Sequence, residues 1–228
     1  MNRVLLVCSV HRETGRATPA ELVWLLGRLR PDVIFLEHSP ADHAAFLEGS
    51  FATLESVAVR RHRDLHQVEL VPVDLPRPDA EFKRTVDDLF DGVERASRRF
   101  QHLDTLHRQH TAQGGFAYIN SPLCAMLQLE MQREMSLTVD AVGEPSLTDS
   151  YSQWVRIHDA RELAMLGTVE EYARKTPFGK GILLVGAAHR QTLLEKVLLR
   201  RRAGPSSVTW DFDWQVEELA EDRSLPKV

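Results

Sequence analysis

Cysteine is scarce in this 228-residue chain, with two residues, Cys8 and Cys124, set far apart. That excludes a disulfide framework and a zinc knuckle. No apolar run approaches the roughly 20 residues that a membrane-spanning helix needs. The chain enters its first strand directly, without the basic, apolar and small-residue order of a signal peptide. These absences predict a cytoplasmic protein with no membrane partner. Positive charge is not in excess either: the formal net charge is −5, so the basic footprint of a nucleic-acid binder is missing. Arg-Arg pairs at 60–61, 98–99 and 200–202 are too scattered to line a groove and read as solvated helix faces. What remains is 43% hydrophobic and 27% charged residues, the composition of an ordinary globular protein with a substantial core.

The first third reads as strand, helix, strand. Residues 3–10 are an aliphatic strand. Thr18-Pro19-Ala20-Glu21 supplies an N-cap, a proline at the first helical position and an acidic first turn. Leu22, Leu25, Leu26 and Leu29 then recur at helical spacing up to Arg30-Pro31-Asp32. Val33-Ile34-Phe35-Leu36 is a second buried strand, placed parallel to the first by right-handed crossover. Residues 42–58 predict one or two helices, and 68–74 a third strand. From 79 to 112 a long charged helical stretch follows, broken by Gly114-Gly115. Further helices are predicted over 122–136, 148–175 and 189–201, with strands at 181–186 and near 208–210. The tail from Glu217 is polar and predicted to fray. The expectation is one α/β domain over 1–228: a mixed, largely parallel central sheet flanked by helices, with a helical insertion or cap over 79–150.

One motif occurs twice. Val4-Leu5-Leu6-Val7-Cys8-Ser9-Val10-His11 and Ile182-Leu183-Leu184-Val185-Gly186-Ala187-Ala188-His189 are each an aliphatic run, then small residues, then a histidine. A buried strand in a sheet covered on both faces has this texture. The histidine falls at the strand's carboxyl end, where ligands bind in open α/β sheets. If the two strands are neighbours, the histidines meet at one site. Glu37 and Asp74 end two other strands, and a carboxylate after Val-Ile-Phe-Leu is costly unless something pairs with it. Imidazole with carboxylate suits a divalent metal such as zinc, manganese or cobalt. The same residues without metal suit a general base and its orienting partner in attack on an ester or amide.

These motifs resemble the TraB/TIKI superfamily, which groups TraB, TIKI, GumN, ChaN-like and erythromycin-esterase-like proteins. The family carries paired G-x-x-H motifs. Gly186-Ala187-Ala188-His189 matches one in full, and Cys8-Ser9-Val10-His11 matches the other with cysteine in place of glycine. Pro31-Asp32-Val33-Ile34-Phe35-Leu36-Glu37 is similar to the family's proline-aspartate, aliphatic run and glutamate. Glu55 falls where a second glutamate is found. Val73-Asp74-Leu75-Pro76 resembles a later stretch that has arginine where Leu75 stands. Arg161-Glu162, with Met165 following, resembles the helix before the last motif strand, although Ala160 stands where a glutamate usually precedes the arginine. Residues 85–150 carry none of the likeness.

The resemblance implies a hydrolase of peptidase or esterase type, acting on a small-molecule or peptide substrate. His11, Glu37, Glu55 and His189 are its candidate catalytic residues, and Arg161 and Asp74 its candidate substrate-binding residues. His11, Glu37 and His189 are the candidate ligands of a divalent Mn, Co or Zn ion. The alternative is a non-catalytic protein that holds metal, haem or a small ligand in the same pocket. Glu13 and His38 stand beside the key positions as secondary candidates. Cys8 reads as an inert buried thiol, and His102, His107 and His110 as the solvated face of a charged helix. Long amphipathic helices allow a homodimer.

Overall fold

The computed structural model describes residues 2–76 and 78–214. Five strands form one sheet in the order β3-β2-β4-β1-β5: β1 (Asn2–Ser9), β2 (Val33–Leu36), β3 (Glu69–Pro72), β4 (Lys180–Gly186) and β5 (Val208–Asp211). Every pairing is parallel, so the sheet is not mixed. The two motif strands are direct neighbours, with Ser9 opposite Gly186. Leu36 of β2 lies opposite Leu184 on the other side of β4. All three of these strands therefore deliver their carboxyl ends to one edge.

Burial explains the aliphatic runs. Val4 to Ser9, Val33 to Leu36 and Gly181 to Val185 are buried, because helices cover both faces of the parallel sheet. Each such aliphatic side chain stabilises the fold by about 1.5–3 kcal/mol. Helix α1 (Pro19–Leu29) begins as its sequence predicts, with the Thr18 hydroxyl accepting from the Glu21 N–H at 3.2 Å. Its buried face is Leu22, Leu25, Leu26 and Leu29. The stretch after β2 forms a 3-10 turn (Pro40–Asp42) and two helices, α2 (His43–Glu48) and α3 (Leu54–Leu65).

The helical middle differs from expectation at one of its break points. It comprises α4 (Ala80–Ala96), α5 (Arg98–Ile119), α6 (Pro122–Val142) and α7 (Pro145–Lys175). The predicted helical stretch over 79–112 is divided at Ser97, whose hydroxyl accepts from the Phe100 N–H at 3.0 Å and starts a new helix. The predicted break at Gly114-Gly115 is present as a kink: Gly115 leaves helical geometry and separates two helical stretches of α5. Gly115 takes φ +56 inside it, and a Cβ there would collide with the Glu21 carboxylate. That carboxylate accepts the Phe116 N–H at 3.1 Å and stitches the kink to α1.

The inner ends of these helices join the main core through Phe116, Ile119, Met165, Leu166 and Val169. Their outer ends build a second core around Leu89, Val93, Phe100, Met135 and Trp154. Helix α8 (Arg190–Ala203) follows β4 through a 3-10 turn at Ala187–His189. No helix among the described residues is long and apolar enough to cross a membrane. The polar tail from Glu217 lies outside the described residues.

Candidate functional site

The carboxyl ends of β1, β2 and β4 open on a cavity of about 420 Å³. His11, Glu37, Glu55, Asp74 and Arg161 all line it. His189 does not: it is buried directly behind Glu37, with 3% of its surface exposed. A Cβ built on Gly186 would sit 4.0 Å from both His11 Nε2 and His189 Cδ2. The two motif histidines thus converge on one glycine, from the open side and from the buried side.

His189 is held between two carboxylates. Its Nδ1 lies 2.7 Å from Glu162 Oε1 and its Nε2 lies 3.3 Å from Glu37 Oε1. Burial alone would strip its proton, but the two carboxylates outweigh burial and hold the pKa up at about 9. His189 is therefore an imidazolium at neutral pH. Burial would likewise raise the Glu37 carboxyl, yet His189, Arg161 and His11 together hold it far below the usual carboxylate range. Glu37 is fully engaged: Oε1 accepts from Arg161 Nη2 at 2.7 Å, and Oε2 accepts the Gly186 N–H at 2.6 Å.

Arg161 reaches in from α7 and clamps Asp74 with Nε at 3.0 Å and Nη2 at 2.6 Å. Both of these bonds fall on Oδ2, while Nε also lies 3.2 Å from Oδ1, so one edge of the guanidinium fork grips the carboxylate. Nη1 donates to no described residue. Asp74 also accepts the Leu75 N–H at 2.7 Å, so it shapes the turn after β3 as well as anchoring Arg161.

His11 and Glu55 form a second hydrogen-bonded unit across the cavity. His11 Nδ1 lies 2.5 Å from Glu55 Oε1. That hydrogen bond raises the His11 pKa above its ordinary value, against a smaller opposing effect of burial. Its Nε2 has no partner among the described residues. Glu55 Oε2 is buried and likewise unpartnered. Helix α3 positions this glutamate in its first turn, where the Thr53 hydroxyl caps the helix by accepting from the Ser56 N–H.

The sequence names Glu162 only within a motif and His38 only as a secondary candidate; the structure gives both, together with His158, a place in this neighbourhood. Glu162 is 2% exposed and gathers His189, Thr192 and Lys196, with Lys196 Nζ at 2.8 Å from Oε2. Its signal was its place in the buried stripe of α7 with Met165, Leu166, Val169 and Ala173. His158, one turn before Glu162, stacks on His189 at 5.1 Å, and burial drives its pKa down to about 4. The aromatic wall of the cavity, His38, Phe46 and Phe51, comes from the connection between β2 and α3.

The remaining sequence candidates are placed elsewhere. Glu13 does not line the cavity, whereas His38 does. Cys8 is turned away from it, its thiol pushed up to about 11 by burial, and its backbone is bracketed by Asn120 at 2.7 and 3.1 Å. His107 bonds Tyr118 and Gln128 at 3.0 and 3.2 Å, which makes it a packing residue of α5. None of residues 79–150 lines the cavity; α7 contributes Arg161 alone. At the exit of β4, α6 does reach the sheet edge, with Gln132 Nε2 donating to the Ala188 carbonyl at 3.1 Å.

Among the described residues no group of three or more His, Cys, Asp and Glu side chains is arranged to hold a metal ion. Comparison with protein-family models, with curated proteins and with solved structures found no match to this chain.

Proposed function

We propose that this chain hydrolyses an ester or amide with water activated by His11. The observation that carries the reading is the His11–Glu55 pair at 2.5 Å, with His11 Nε2 unpartnered at the wall of the cavity. Glu55 fixes the ring and the tautomer through Nδ1–H, leaving Nε2 as the base. Nε2 takes a proton from water as the oxygen attacks the carbonyl carbon. The imidazolium then returns that proton to the leaving group. The carbonyl oxygen becomes an oxyanion, and Arg161 Nη1 is the donor available to meet it. Glu37 and Asp74 keep Arg161 in place, and His189 in turn pairs with Glu37. The likeness of the motifs to the TraB/TIKI superfamily supports the same chemistry, since that resemblance includes metal-independent, histidine-assisted esterases.

A divalent cation does not fit the donor set as arranged. Glu37 spends both oxygens on Arg161, His189 and Gly186, and both nitrogens of His189 face carboxylates. A metal there would replace a guanidinium and an imidazolium that already neutralise Glu37. The two buried, unbridged thiols fit a reducing compartment such as the cytoplasm.

The test is turnover of a panel of simple esters and peptides by wild type, His11→Ala and Glu55→Gln. Loss of about 10²–10⁴-fold in His11→Ala is the expected size for a general base. Wild-type binding without turnover would leave a ligand-binding protein with the same cavity. Full activity in His11→Ala would overturn the mechanism.

A further inference from the structure

The cavity has two walls of opposite chemistry. Charged groups occupy one, and rings from a single connection occupy the other. His38 and Phe46 stack with centroids 4.4 Å apart and planes within 23°. His43 backs them, its plane within 18° of His38 and 6° of Phe46. Phe51 stands 6.4 Å from Phe46, tilted by 40°. Three of these four rings are nearly parallel, and although His38 and Phe46 are largely buried, they line the cavity together with Phe51.

The wall is held in advance of any ligand. Arg60 Nη1 donates to the carbonyls of Phe46 and Phe51, each at 3.2 Å, so one side chain of α3 ties both ring-bearing residues to the helix that carries Glu55. Ser56 Oγ donates to the Phe51 carbonyl at 2.7 Å. His38 Nε2 and His43 Nδ1 lie 3.0 Å apart, which requires one of these nitrogens to be unprotonated. Burial, aided by Arg63, lowers the His43 pKa, which keeps that ring uncharged at neutral pH. A preorganised set of rings recognises a flat π-surface better than a saturated group of the same size, through offset stacking.

From this wall, and on the hydrolase reading above, we propose that the substrate is an ester or amide carrying a planar aromatic ring, which rests on His38, Phe46 and Phe51 while its carbonyl faces His11. The hydrolysis adds one water across the acyl bond and yields a carboxylic acid together with an alcohol or amine, one of which carries the arene.

A matched pair of substrates tests it: ethyl phenylacetate against ethyl cyclohexylacetate, followed by pH-stat in wild type, Phe51→Leu and Arg60→Met. The wild type should favour the phenyl ester in kcat/KM by about threefold to tenfold, the range of one aromatic contact. Both variants should abolish that preference while still hydrolysing the cyclohexyl ester. Phe51 is partly exposed, so its variant keeps the test open if Arg60→Met does not fold. Binding of phenylacetate and cyclohexylacetate, read by shifts of the His38 and His43 ring resonances, needs no turnover. Phenylacetate bound selectively without hydrolysis of any ester would uphold the ring site and sink the hydrolase. Hydrolysis with no phenyl preference, or a preference unchanged in both variants, would overturn the ring site alone.

Discussion

Glu162 stands directly behind His189, its Oε1 2.7 Å from Nδ1, while Glu37 occupies the opposite edge of the same ring at 3.3 Å. A histidine between two carboxylates is a fixed cation, so the better-matched copy of the repeated motif supplies charge and the imperfect copy supplies the base. Glu162→Gln removes one counter-charge and leaves Lys196 and His189 without it. Breaking a buried pair of this kind is expected to destabilise the fold by about 3–5 kcal/mol, measured by urea denaturation. A loss below about 1 kcal/mol, with the His189 pKa unmoved by NMR, would show that Glu37 alone holds the proton.

Stability should depend on pH in a direction set by the same ring. The folded pKa of His189 is raised to about 9 from an ordinary 6.5. Its contribution is therefore fully present below pH 6.5 and is lost as pH rises through 9. Two to three pKa units correspond to about 3 kcal/mol. Glu37 acts in the opposite sense: its carboxyl is depressed from 4.5, so its contribution is present above that value and is lost on acidification. Denaturation midpoints across pH 5–9.5 should fall above neutrality, and His189→Asn should flatten that decline. An unchanged alkaline slope in the variant would remove His189 as its cause.

The strands, the α1 start and the meeting of the two motifs were legible because each is local or follows from one topological rule. Val33 to Leu36 can be read as a buried strand from four residues, and parallel pairing of the motif strands follows from the chain's return. His11, Glu37, Glu55, Asp74 and Arg161 do share one cavity. Their roles were not legible, since a role depends on partners. His189 looked equivalent to His11 until Glu37, and with it Glu162, a residue 27 positions away, turned it into a cation. The helix break at Ser97 was missed because a serine cap is weak beside Gly114-Gly115 as a sequence signal; the glycine pair does interrupt the helix, and Gly115 also makes room for Glu21.

His11 should set the acid limb of the pH–rate profile. The hydrogen bond to Glu55 raises its pKa above the ordinary 6.5, and the base acts only when deprotonated. The limb in kcat/KM should therefore lie above pH 6.5 in wild type and move down toward 6.5 in Glu55→Gln, with a lower plateau from the misoriented ring. A limb that stays put in the variant would separate Glu55 from the titration.

Arg161 holds Glu37 and Asp74 together through one guanidinium. Arg161→Met leaves two carboxylates facing each other across a largely buried edge and should lose about 3–5 kcal/mol of stability. Arg161→Lys keeps the charge but not the fork, so it should recover only part of that loss. Full recovery by lysine, in the same denaturation assay, would mean that charge alone and not the geometry of the fork matters here.

Chelation is the sharpest test of how the donor set is used. Every Glu37 oxygen and both His189 nitrogens are committed within the protein, and a cation entering there would meet Arg161 and the His189 imidazolium head-on. Activity is therefore expected to survive exhaustive dialysis against a chelator, and added zinc, manganese or cobalt should not raise it. Elemental analysis of the dialysed protein should find well under one equivalent of metal. Loss of turnover on chelation, restored by one of these ions, would instead require Arg161 to swing away from Glu37. In that case Arg161→Met should bind the ion more tightly than wild type, because the competing guanidinium is gone. Tighter binding in the variant together with chelator-sensitive activity would replace the water-activating dyad with a metal site; chelator-insensitive activity that disappears in His11→Ala would keep it.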